Sequence, residues 1–545
     1  MEIHKKTSDV EALEVYGENA FGGDTLSTNI ALAQSRGYTV IAGVNGSPFD
    51  TSNGTTTGTL ISNGRIISSN SGVSTYDSFA IKNDGTMFIG KSNLTFSYKT
   101  SNGTVININT INKQKKTDDN NVYLYTRDYY SDTTSLANST EVILKIDSGE
   151  VAVGKQLVAT VEEMSLYDII PQEHEKDPDV LAERKILVEE IKTNVKRTAV
   201  EEGKVVLVAK NIAALGNIKA GEKLTFDFVN NDKTYDWNNV SQSINGFYEI
   251  LKDGKPVNTS DPSVHPRTTI GFKEDGSIVL YVVDGRQPTF SVGLTDLACA
   301  QYMQSLGCVG AIRMDGGGSS TMALRMPGDT KLTTVNSPSD GQERNDADGL
   351  LICLKKDYDQ TVGSDTLLHA YPNNVVLLEN TVMDITVKAT DKKYNPKATP
   401  DYKMEVVGDC GSITSDNKFQ AKQGEGTGKV KITSGSAEAF VDVTVTNKVD
   451  EIYATVNNLA LSPNEKVTLN VKAYCDDSLL VCSNESFKWE CSDGIGTINN
   501  KGEFIATASA GVSGYITVSH SKAQFKVMVT VGQLPVEITG FENDK

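Results

Sequence analysis

One short stretch of the chain, Arg313 to Leu324, combines a carboxylate, three glycines and three hydroxyl side chains: RMDGGGSSTMAL. Glycines allow backbone N–H groups to converge on one point, and hydroxyls add donors for phosphate oxygens. The stretch lacks the Gly-x-x-x-x-Gly-Lys-[Ser/Thr] spacing of a nucleotide P-loop. It is therefore either a flexible turn or an anion-binding nest. The residues that would form the nest are Gly316, Gly317, Gly318, Ser319, Ser320 and Thr321.

Polar residues follow three apolar runs that are typical of short buried strands. These runs end at Asn45, Asp284 and Asp315. Between the last two, residues 295–306 predict a helix, with a threonine as its N-cap and a glycine after its end. The strands that flank this helix form a βαβ unit with it, so we expect them to run parallel. Parallel strands end at one edge of the sheet, and ligands bind at that edge in open α/β sheets. If the strand before Asn45 is a neighbour, three polar loops converge there.

Two arginines stand in polar segments beside apolar runs. Arg267 directly precedes the run Thr268 to Phe272, and Arg344 lies with Asp340 and Glu343 in a loop before another buried strand. The planar guanidinium of arginine suits fork-like binding of a carboxylate or phosphate. We therefore count both arginines as candidate anion ligands.

Composition excludes several classes of protein. The 545 residues carry a formal net charge of −18 and a sequence pI of about 4.9, which argues against nucleic acid as a partner. No apolar run reaches the roughly 20 residues that span a bilayer. The seven cysteines form no Cys-x-x-Cys pair and the five histidines are scattered, so a zinc site is not expected.

The chain changes character near residue 357, where interleaved helical and strand patterns give way to short strands. Residues 410–445 and 495–531 repeat one pattern of turns and alternating strands, which predicts two tandem β-sandwiches that resemble bacterial Ig-like modules. The expected fold class is multidomain, an α/β (α+β) mixed-sheet domain followed by two all-β Ig-like sandwiches. A charged segment, 174–200, predicts a solvated helix. The expected domains are 1–356, 357–448 and 449–533, with 534–545 as a linker or the start of a further domain.

The segments of the first domain, taken in order, resemble the phosphodiester glycosidase family. The matching stretches are GVNGSPFD, TGTLISNGRIIS, SINGFYEILKDGKPV, HPRTTIGF, VVDGRQPTFSVGLT, IRMDGGGSSTM and NSPSDGQER. They cover nearly all of residues 1–355. The pair of Asp-Gly-Arg and Asp-Gly-Gly-Gly-Ser-Ser-Thr-Met is the most specific of these matches. Ser47-Pro48 and the tetrapeptide NDAD after Arg344 depart from the family pattern.

The resemblance implies hydrolysis of a sugar-1-phosphodiester, similar to an N-acetylglucosamine-1-phosphodiester, at the sugar C1–O bond. Asp315 would activate water or stabilise the sugar cation, with Asp284 as the second candidate, although either could only cap its loop. Arg267 and Arg286 would clamp the phosphate, and the glycine-rich loop would complete the cradle. Asn45 would hydrogen-bond the sugar or the phosphate. Bound Ca²⁺ or Mg²⁺ is compatible with the many oxygen ligands, but no segment matches a known metal-binding loop.

Two other functions fit the same sequence. One is a glycosidase whose polysaccharide substrate has no phosphate, and the other is a non-catalytic glycan-binding adhesin. The favoured interpretation is a secreted or cell-surface bacterial hydrolase of phosphate-linked glycans, whose Ig-like modules attach it to cell-wall or surface polysaccharide. Secretion is inferred from the Ig-like modules and from the habit of the family, because the N-terminus shows no apolar signal core.

Overall fold

The protein is described from a computed structural model. It describes residues 1–3, 10–115, 119–133, 139–166, 198–288, 290–354, 365–392, 394–476 and 478–532. The predicted helix within 174–200 lies, apart from its last three residues, outside the described residues, as does the segment 534–545. The chain divides into two compact units, one of residues 1–325 and 331–357, the other of residues 326–330 and 358–545.

The described residues of the first unit include two α-helices, α1 (Leu26–Ser35) and α2 (Asp296–Ser305), and short 3-10 helices at Trp237–Asn239 and Gly317–Ser319. Its described strands are β1 Glu2–Ile3, β2 Val10–Val15, β3 Thr39–Asn45, β4 Leu60–Ser62, β5 Arg65–Asn70, β6 Gly72–Val73, β7 Ser78–Lys82, β8 Met87–Gly90, β9 Asn93–Lys99, β10 Val105–Ile108, β11 Thr110–Ile111, β12 Tyr123–Tyr125, β13 Thr140–Gly149, β14 Gln156–Leu166, β15 Lys204–Ala209, β16 Lys223–Asn230, β17 Val240–Asn245, β18 Tyr248–Lys252, β19 Lys255–Pro256, β20 Arg267–Phe272, β21 Ile278–Val283, β22 Gly310–Arg313, β23 Met322–Leu324, β24 Thr333–Thr334 and β25 Gly349–Leu354.

These strands form three sheets. A long sheet runs in the order β10-β9-β16-β14-β13-β15-β12-β11-β5-β4-β17-β7-β8, with β6 beside β9. A six-stranded sheet has the order β1-β21-β20-β22-β18-β19, and a five-stranded sheet has the order β2-β25-β3-β23-β24. Apolar side chains of the two smaller sheets share one core, which includes Val44, Ile270, Ile312 and Leu350. This shared core brings the ends of their strands together.

The helix α2 begins and ends as its sequence predicts. The Thr295 hydroxyl caps it by accepting a hydrogen bond from the Ala298 N–H, and Gly307 beyond its last turn has φ +84°. Cys299, Ala300 and Met303 pack its inner face against β18, β20 and β22. The helix therefore covers one face of the six-stranded sheet.

The strands on either side of α2 run parallel, as predicted, but they are not neighbours. The strand β20 lies between β21 and β22 and is antiparallel to both. The strand before Asn45, β3, belongs to the five-stranded sheet and not to this one. In place of the expected parallel α/β arrangement, β20 is inserted between β21 and β22, so neighbouring strands are antiparallel. Asp284 and Asp315 still follow strands that end at the same edge of this sheet.

Where the second unit is described, it consists of β-strands and one 3-10 helix, Asn484–Ser486. Its described strands are β26 Leu367–Tyr371, β27 Asn374–Leu378, β28 Val382–Met383, β29 Thr386–Thr390, β30 Pro396–Lys397, β31 Lys403–Gly408, β32 Gly411–Ile413, β33 Phe419–Ala421, β34 Gly426–Ser434, β35 Ala437–Thr446, β36 Glu451–Ala454, β37 Asn458–Leu461, β38 Lys466–Thr468, β39 Val471–Cys475, β40 Ser478–Leu480, β41 Lys488–Cys491, β42 Gly496–Ile498, β43 Glu503–Ala506, β44 Val512–His520 and β45 Ala523–Val531.

The sheets of this second unit repeat, as the sequence repeat predicts. A four-stranded sheet β27-β35-β34-β31 has its counterpart in β37-β45-β44-β41, and each is accompanied by two three-stranded sheets. Phe419 and Phe504, at equivalent positions, are both fully buried. The chain is therefore a multidomain, mostly β protein in which a mixed domain precedes β-sandwiches. Among the described residues, no helix is both long and apolar enough to cross a membrane.

Candidate active site

The glycine-rich stretch forms a loop that is fixed to two neighbouring strand ends. After β22, the Asp315 N–H donates to the carbonyl oxygen of Gly46 at 2.9 Å, and the Gly317 N–H donates to that of Pro266 at 3.0 Å. Residues Gly317–Ser319 then make one 3-10 turn. Because one of these contacts comes from each smaller sheet, the loop lies where the two sheets meet.

Asn45 joins the pieces of this junction. Its Oδ1 accepts from the Thr268 hydroxyl at 2.7 Å and from the Thr321 N–H at 3.1 Å, while its Nδ2 donates to the carbonyl of Asp315 at 3.0 Å. Only 1% of Asn45 is exposed. The expectation that Asn45 binds sugar or phosphate is therefore not supported, because these bonds commit it to positioning the loop.

The expected nest of backbone N–H groups is mostly closed by the protein itself. The Gly316 N–H bonds the Asp315 carboxyl group, and Gly317 donates to Pro266. Ser319 and Ser320 donate back to carbonyls of the glycines, so within the described residues the Gly318 N–H is the one glycine donor of the loop without a partner. The Ser320 and Thr321 hydroxyls are buried and unpaired. The cradle that remains is smaller than the sequence predicted.

Two guanidinium groups flank the glycines of the loop. A Cβ atom placed on Gly317 would lie 2.9 Å from the Arg286 Nη1, and one placed on Gly318 would lie 2.1 Å from the Arg344 Nη2. Arg344 also bonds the Asp340 Oδ2 at 2.7 Å and the Ser319 Oγ at 3.3 Å. The Arg286 side chain is exposed and makes no hydrogen bond with a described residue. Arg286 is therefore the more available of the two for an anion.

Arg267 does not point toward the loop. Along β20, Thr268 faces Asn45, so the alternation of the strand directs Arg267 to the opposite face, under α2. There its Nε lies 3.2 Å from the Asp296 Oδ1, and its side chain is 2% exposed. The predicted phosphate clamp at Arg267 is corrected to a buried ion pair that fixes α2 to the sheet.

Asp284 organises a loop rather than facing a ligand. Its carboxylate accepts from the Ser337 N–H at 2.9 Å and from the Asn336 Nδ2 at 2.9 Å. Asn336 in turn donates to the carbonyl of Ser320 at 2.9 Å. Asp284 thus has the loop-capping role that the sequence left open, and Asp315 is the better candidate for chemistry.

Asp315 is a half-buried carboxylate, and a second carboxylate lies close to it. Its Oδ2 accepts from the Ser319 hydroxyl at 2.7 Å. Desolvation raises the pKa of Asp315, while the hydrogen bond from Ser319 and the charge of Arg344 oppose that rise. Asp346 is 3% exposed, and burial together with the charge of Asp315 raises its pKa well above the usual range. Two carboxyl groups of raised pKa therefore interact electrostatically at this loop.

Three more buried ionisable groups, Asp348, Lys113 and Glu14, interact electrostatically through Asp348. The Asp348 Oδ1 accepts from the Ser47 N–H at 2.6 Å, and burial raises the pKa of Asp348 to about 6. Burial also lowers the pKa of Lys113 to about 7, against the opposing charge of Asp348. Desolvation, followed by the charge of Asp348, raises the pKa of Glu14 well above its usual value.

Thr268, Asp346 and Asp348 belong to the site but were not predicted as site residues. Asp346 and Asp348 lie in NDAD, the tetrapeptide that departs from the family pattern. Acidic residues directly before a buried strand were a usable signal, because carboxylates are seldom buried without a function or a partner. Thr268 gave no signal, since its role depends on which face of β20 meets Asn45.

The described residues contain no group of three His, Cys, Asp or Glu side chains that could hold a metal ion. The described residues around the glycine-rich loop offer one partly accessible carboxylate with a raised pKa, the Arg286 guanidinium, which bonds no described residue, and the Arg344 guanidinium, which is paired with Asp340. Such a set can accept a proton from water while stabilising the negative charge of a departing phosphate.

Residues 182–353 match the family model of the phosphodiester glycosidases. A curated relative, the SPbeta prophage-derived uncharacterized protein YomE of Bacillus subtilis (strain 168), is 37% identical over 114 residues, which cover 20% of this chain and 17% of that protein. The chain thus matches less than a fifth of that relative's length.

Two solved structures are similar to this chain over comparable shares of its length. A hypothetical protein from Synechocystis has a TM-score of 0.48 and 15% identity, covering 65% of this chain and 58% of that one. The catalytic domain of zebrafish N-acetylglucosamine-1-phosphodiester alpha-N-acetylglucosaminidase, auto-inhibited by its pro-peptide, has a TM-score of 0.30 and 15% identity, covering 65% and 76%.

Proposed function

We propose that this chain, whose residues 182–353 belong to the phosphodiester glycosidase family, hydrolyses sugar-1-phosphodiesters in glycans at the sugar C1–O bond. The family supports a glycosidase-type activity, and the finer assignment rests on the site. The observation that carries it is the placement of Asp315, Arg286 and Arg344 around one glycine turn. A carboxylate beside two cations is what a substrate with a phosphate leaving group requires.

In the proposed step, the oxygen of water forms a bond to C1 of the sugar, and the C1–O bond to phosphate breaks. The electron pair of that bond leaves with the phosphate oxygen, giving a phosphomonoester, and Asp315 accepts a proton from the water. Because a phosphate leaving group is already anionic, it departs without protonation by a second carboxylic acid, unlike an ordinary glycosidic oxygen. Arg286 and Arg344 stabilise the charge that develops on it.

The proposed setting is outside a bacterial cell. We place the enzyme in secreted or cell-surface form, acting on phosphate-linked glycans, with the second unit holding it to cell-wall or surface polysaccharide. The support for this setting is the repeated β-sandwich pattern of the second unit. Western analysis of culture medium, cell wall and cytosol of the source organism tests it, and accumulation in the cytosol alone would contradict it.

The activity test uses the whole chain with α-N-acetylglucosamine-1-phospho-methylmannose and, separately, a nucleotide sugar, in water enriched in ¹⁸O. We expect free sugar that carries the label together with an unlabelled phosphomonoester, read by phosphorus NMR and mass spectrometry. Label in the phosphate would mean P–O cleavage and would contradict the proposed step.

The variant Asp315→Asn tests the assigned residue in the same assay. Removal of the proton acceptor should lower kcat by about 10²–10⁴-fold. The matched control is Asp253→Asn, the same exchange in an exposed left-handed turn position that asparagine tolerates. Equal activity of the two variants would exclude Asp315 from the chemistry.

A further inference from the structure

Two aromatic side chains lie at the sheet edge where Asp315 follows β22. Phe247 directly precedes β18, and Tyr76 lies two residues before β7. The ring centroids of Phe247 and Tyr76 are 5.7 Å apart and their planes meet at 82°, which is an edge-to-face pair. Both side chains are half-buried. The pair therefore keeps part of its aromatic surface accessible.

The register of β18 places Phe247 beside Asp315. The strand β18 is antiparallel to β22, with Tyr248 opposite Arg313, so the start of β18 lies next to the end of β22. The Phe247 N–H donates to the carbonyl oxygen of Arg313 at 2.8 Å, two residues before Asp315. Phe247 and Asp315 thus follow from the same pair of strand ends.

The register of β7 brings Tyr76 to the same edge. The strand β7 is antiparallel to β17, with Ser78 opposite Asn245, so the start of β7 lies next to the end of β17. The Gly246 N–H donates to the carbonyl oxygen of Asp77 at 2.9 Å. The segment with Tyr76 is therefore fixed to the segment with Phe247 through the backbone as well as through the two rings.

The Phe247 ring is held in place by a cation. The guanidinium carbon of Arg313 lies 4.7 Å from the centroid of the ring, a cation–π contact. The Arg313 Nη1 donates to the Tyr248 hydroxyl at 2.7 Å and lies 3.3 Å from the Asp296 Oδ2. The ring is thus positioned by the protein itself, and a preorganised side chain loses little conformational entropy on binding.

The aromatic pair and Arg286 lie on opposite sides of Asp315. The six-stranded sheet contains the order β21-β20-β22-β18. Asp315 follows β22, Phe247 precedes the neighbouring strand β18, and Arg286 follows β21, two strands away in the other direction. The loop after Asp315 also turns to the Arg286 side, because the Gly317 N–H bonds Pro266 before β20. A substrate with its phosphate at Arg286 and its reacting carbon at Asp315 therefore extends toward Phe247.

An aromatic pair of this kind suits the C–H face of a sugar ring. The face of an aromatic ring carries partial negative charge, which attracts C–H groups of opposite partial charge. A pyranose presents several C–H groups on one face of its ring and directs most of its hydroxyl groups around the rim. A phosphate group offers no such surface. Phe247 and Tyr76 therefore match the sugar end of a sugar phosphodiester and not its anionic end.

We propose that Phe247 and Tyr76 form the subsite for the sugar ring, with the C–H face of a pyranose packed against them and C1 directed to Asp315. This assignment rests on the proposed function and names the sugar side of its substrate. Phe247 and Tyr76 contact the sugar away from the breaking bond. They therefore determine binding and specificity rather than proton transfer.

The first test needs binding only. The whole chain is deuterated except at phenylalanine, and its aromatic protons are saturated in the presence of the α-1-phosphates of N-acetylglucosamine, glucose and mannose in turn. We expect saturation to pass to the ring protons on one face of at least one of these sugars, and Phe247→Leu to abolish it. The matched control is Phe440→Leu, the same exchange at a phenylalanine of the second unit that is 44% exposed. Wild type without transfer to any of the three sugars, or equal transfer in both variants, would overturn the proposal.

A second measurement separates a sugar subsite from a structural role of Phe247. Leucine keeps an apolar cover over the Arg313–Asp296 pair but removes the aromatic face. Phe247→Leu should bind the sugar 1-phosphates about tenfold more weakly than wild type. It should bind methyl phosphate, a phosphomonoester without a sugar, as wild type does, measured by phosphorus NMR titration. Equal weakening for both kinds of phosphate, or a lower free energy of unfolding with unchanged affinity, would mean a structural role only and would overturn the proposal.

Tyr76→Leu covers the case in which Phe247→Leu does not fold. Tyr76 lies outside the Arg313–Asp296 pair and contacts it only through Phe247. We expect the same selective loss of affinity for the sugar 1-phosphates, with methyl phosphate unaffected. Unchanged affinity of Tyr76→Leu for all of these sugars would remove Tyr76 from the subsite and contradict the proposed pair.

The outcomes for this inference and for the proposed function are distinct. If wild type cleaves none of the sugar-1-phosphodiesters but saturation passes from Phe247 to a sugar ring, the function fails while the sugar subsite remains. If cleavage occurs and neither variant changes sugar binding, the function remains and the subsite fails.

Discussion

At the scale of single residues, the site depends on which charges are paired inside the protein and which stay available. The sequence did not distinguish Arg267, Arg286 and Arg344. In the structure, Arg267 is buried against Asp296, the Arg286 side chain bonds no residue of the described part of the chain, and Arg344 is paired with Asp340. Their substitution should therefore have three different effects.

Loss of either loop arginine should weaken transition-state stabilisation. We expect Arg286→Asn and Arg344→Gln each to lower kcat/KM by about 10²–10³-fold, the effect of removing one preorganised donor. Asparagine is chosen at Arg286 because this residue has φ +59°. Arg36→Gln, at the exposed end of α1, is the control. An Arg286→Asn variant with wild-type kcat/KM would remove the phosphate clamp from the mechanism.

Arg267 should matter for stability instead. Replacement of Arg267 by Met removes one of the two guanidinium groups that pair with buried Asp296 and leaves Arg313 and the Tyr248 hydroxyl in contact with it. We expect a loss of about 1–3 kcal/mol in the free energy of unfolding, measured in urea, with little change in KM of the folded fraction. A raised KM at wild-type stability would restore Arg267 as a ligand.

Asp348 should make stability depend on pH. Its pKa is about 6 in the folded protein, above the value of about 3.9 for an unfolded chain, so unfolding releases a proton between those pH values. Stability therefore falls as the pH rises from about 4 to 6, and Asp348→Asn should make that fall smaller. Urea titrations followed through buried Trp237, in a Trp489→Phe background, measure it. An unchanged slope would contradict the raised pKa.

At the scale of elements, the glycine-rich loop Asp315–Thr321 is defined by the strand ends that hold it and by the glycines at its turn, which carry no side chains. Gly317 has φ +66° and faces Arg286, whereas Gly318 faces Arg344 and Asp340. The glycines therefore make room for the guanidinium groups as well as for the backbone path. This second requirement was not visible in the sequence, where the run suggested only converging N–H groups.

Gly317→Ala tests this account. The methyl group would displace the Arg286 side chain, and alanine at positive φ costs about 1–2 kcal/mol. We expect kcat/KM to fall by at least tenfold. Gly341→Ala is the control, because Gly341 also has positive φ (+77°) but open space around it. Equal effects of both variants would indicate backbone strain alone.

At the scale of the whole molecule, each unit has hydrophobic cores of its own. Clusters that contain Phe419 or Phe504 belong entirely to the second unit, and the core around Ile270 and Ile312 belongs to the first. Every residue assigned to the candidate site lies in the first unit. The proposed function therefore assigns catalysis and attachment to separate units.

A chain that ends at residue 357 should therefore fold and keep its activity on a soluble substrate. We expect kcat/KM within about threefold of the full chain and loss of any binding to insoluble cell wall, because separate cores unfold independently. Calorimetry and a sedimentation assay measure both quantities. Loss of turnover by a folded truncated chain would show that the second unit supports the site.

The sequence by itself determined much of the local structure. Apolar runs, one threonine cap and one glycine stop predicted α2 and the strands that end near Asn45, Asp284 and Asp315, because these signals act over a few residues. The family resemblance was likewise a local property, and the family-model match confirms it for residues 182–353. The expected domain boundaries remain predictions.

Only the tertiary structure decided which polar groups meet. The insertion of β20 between β21 and β22, and the placement of β3 in another sheet, set the faces of Arg267 and Thr268 and the environment of Asp346. A strand exposes alternate residues to opposite faces, so the role of each depends on its neighbours. The sequence does not specify the order of strands from distant parts of the chain, and that order brought Asp346 to Asp315.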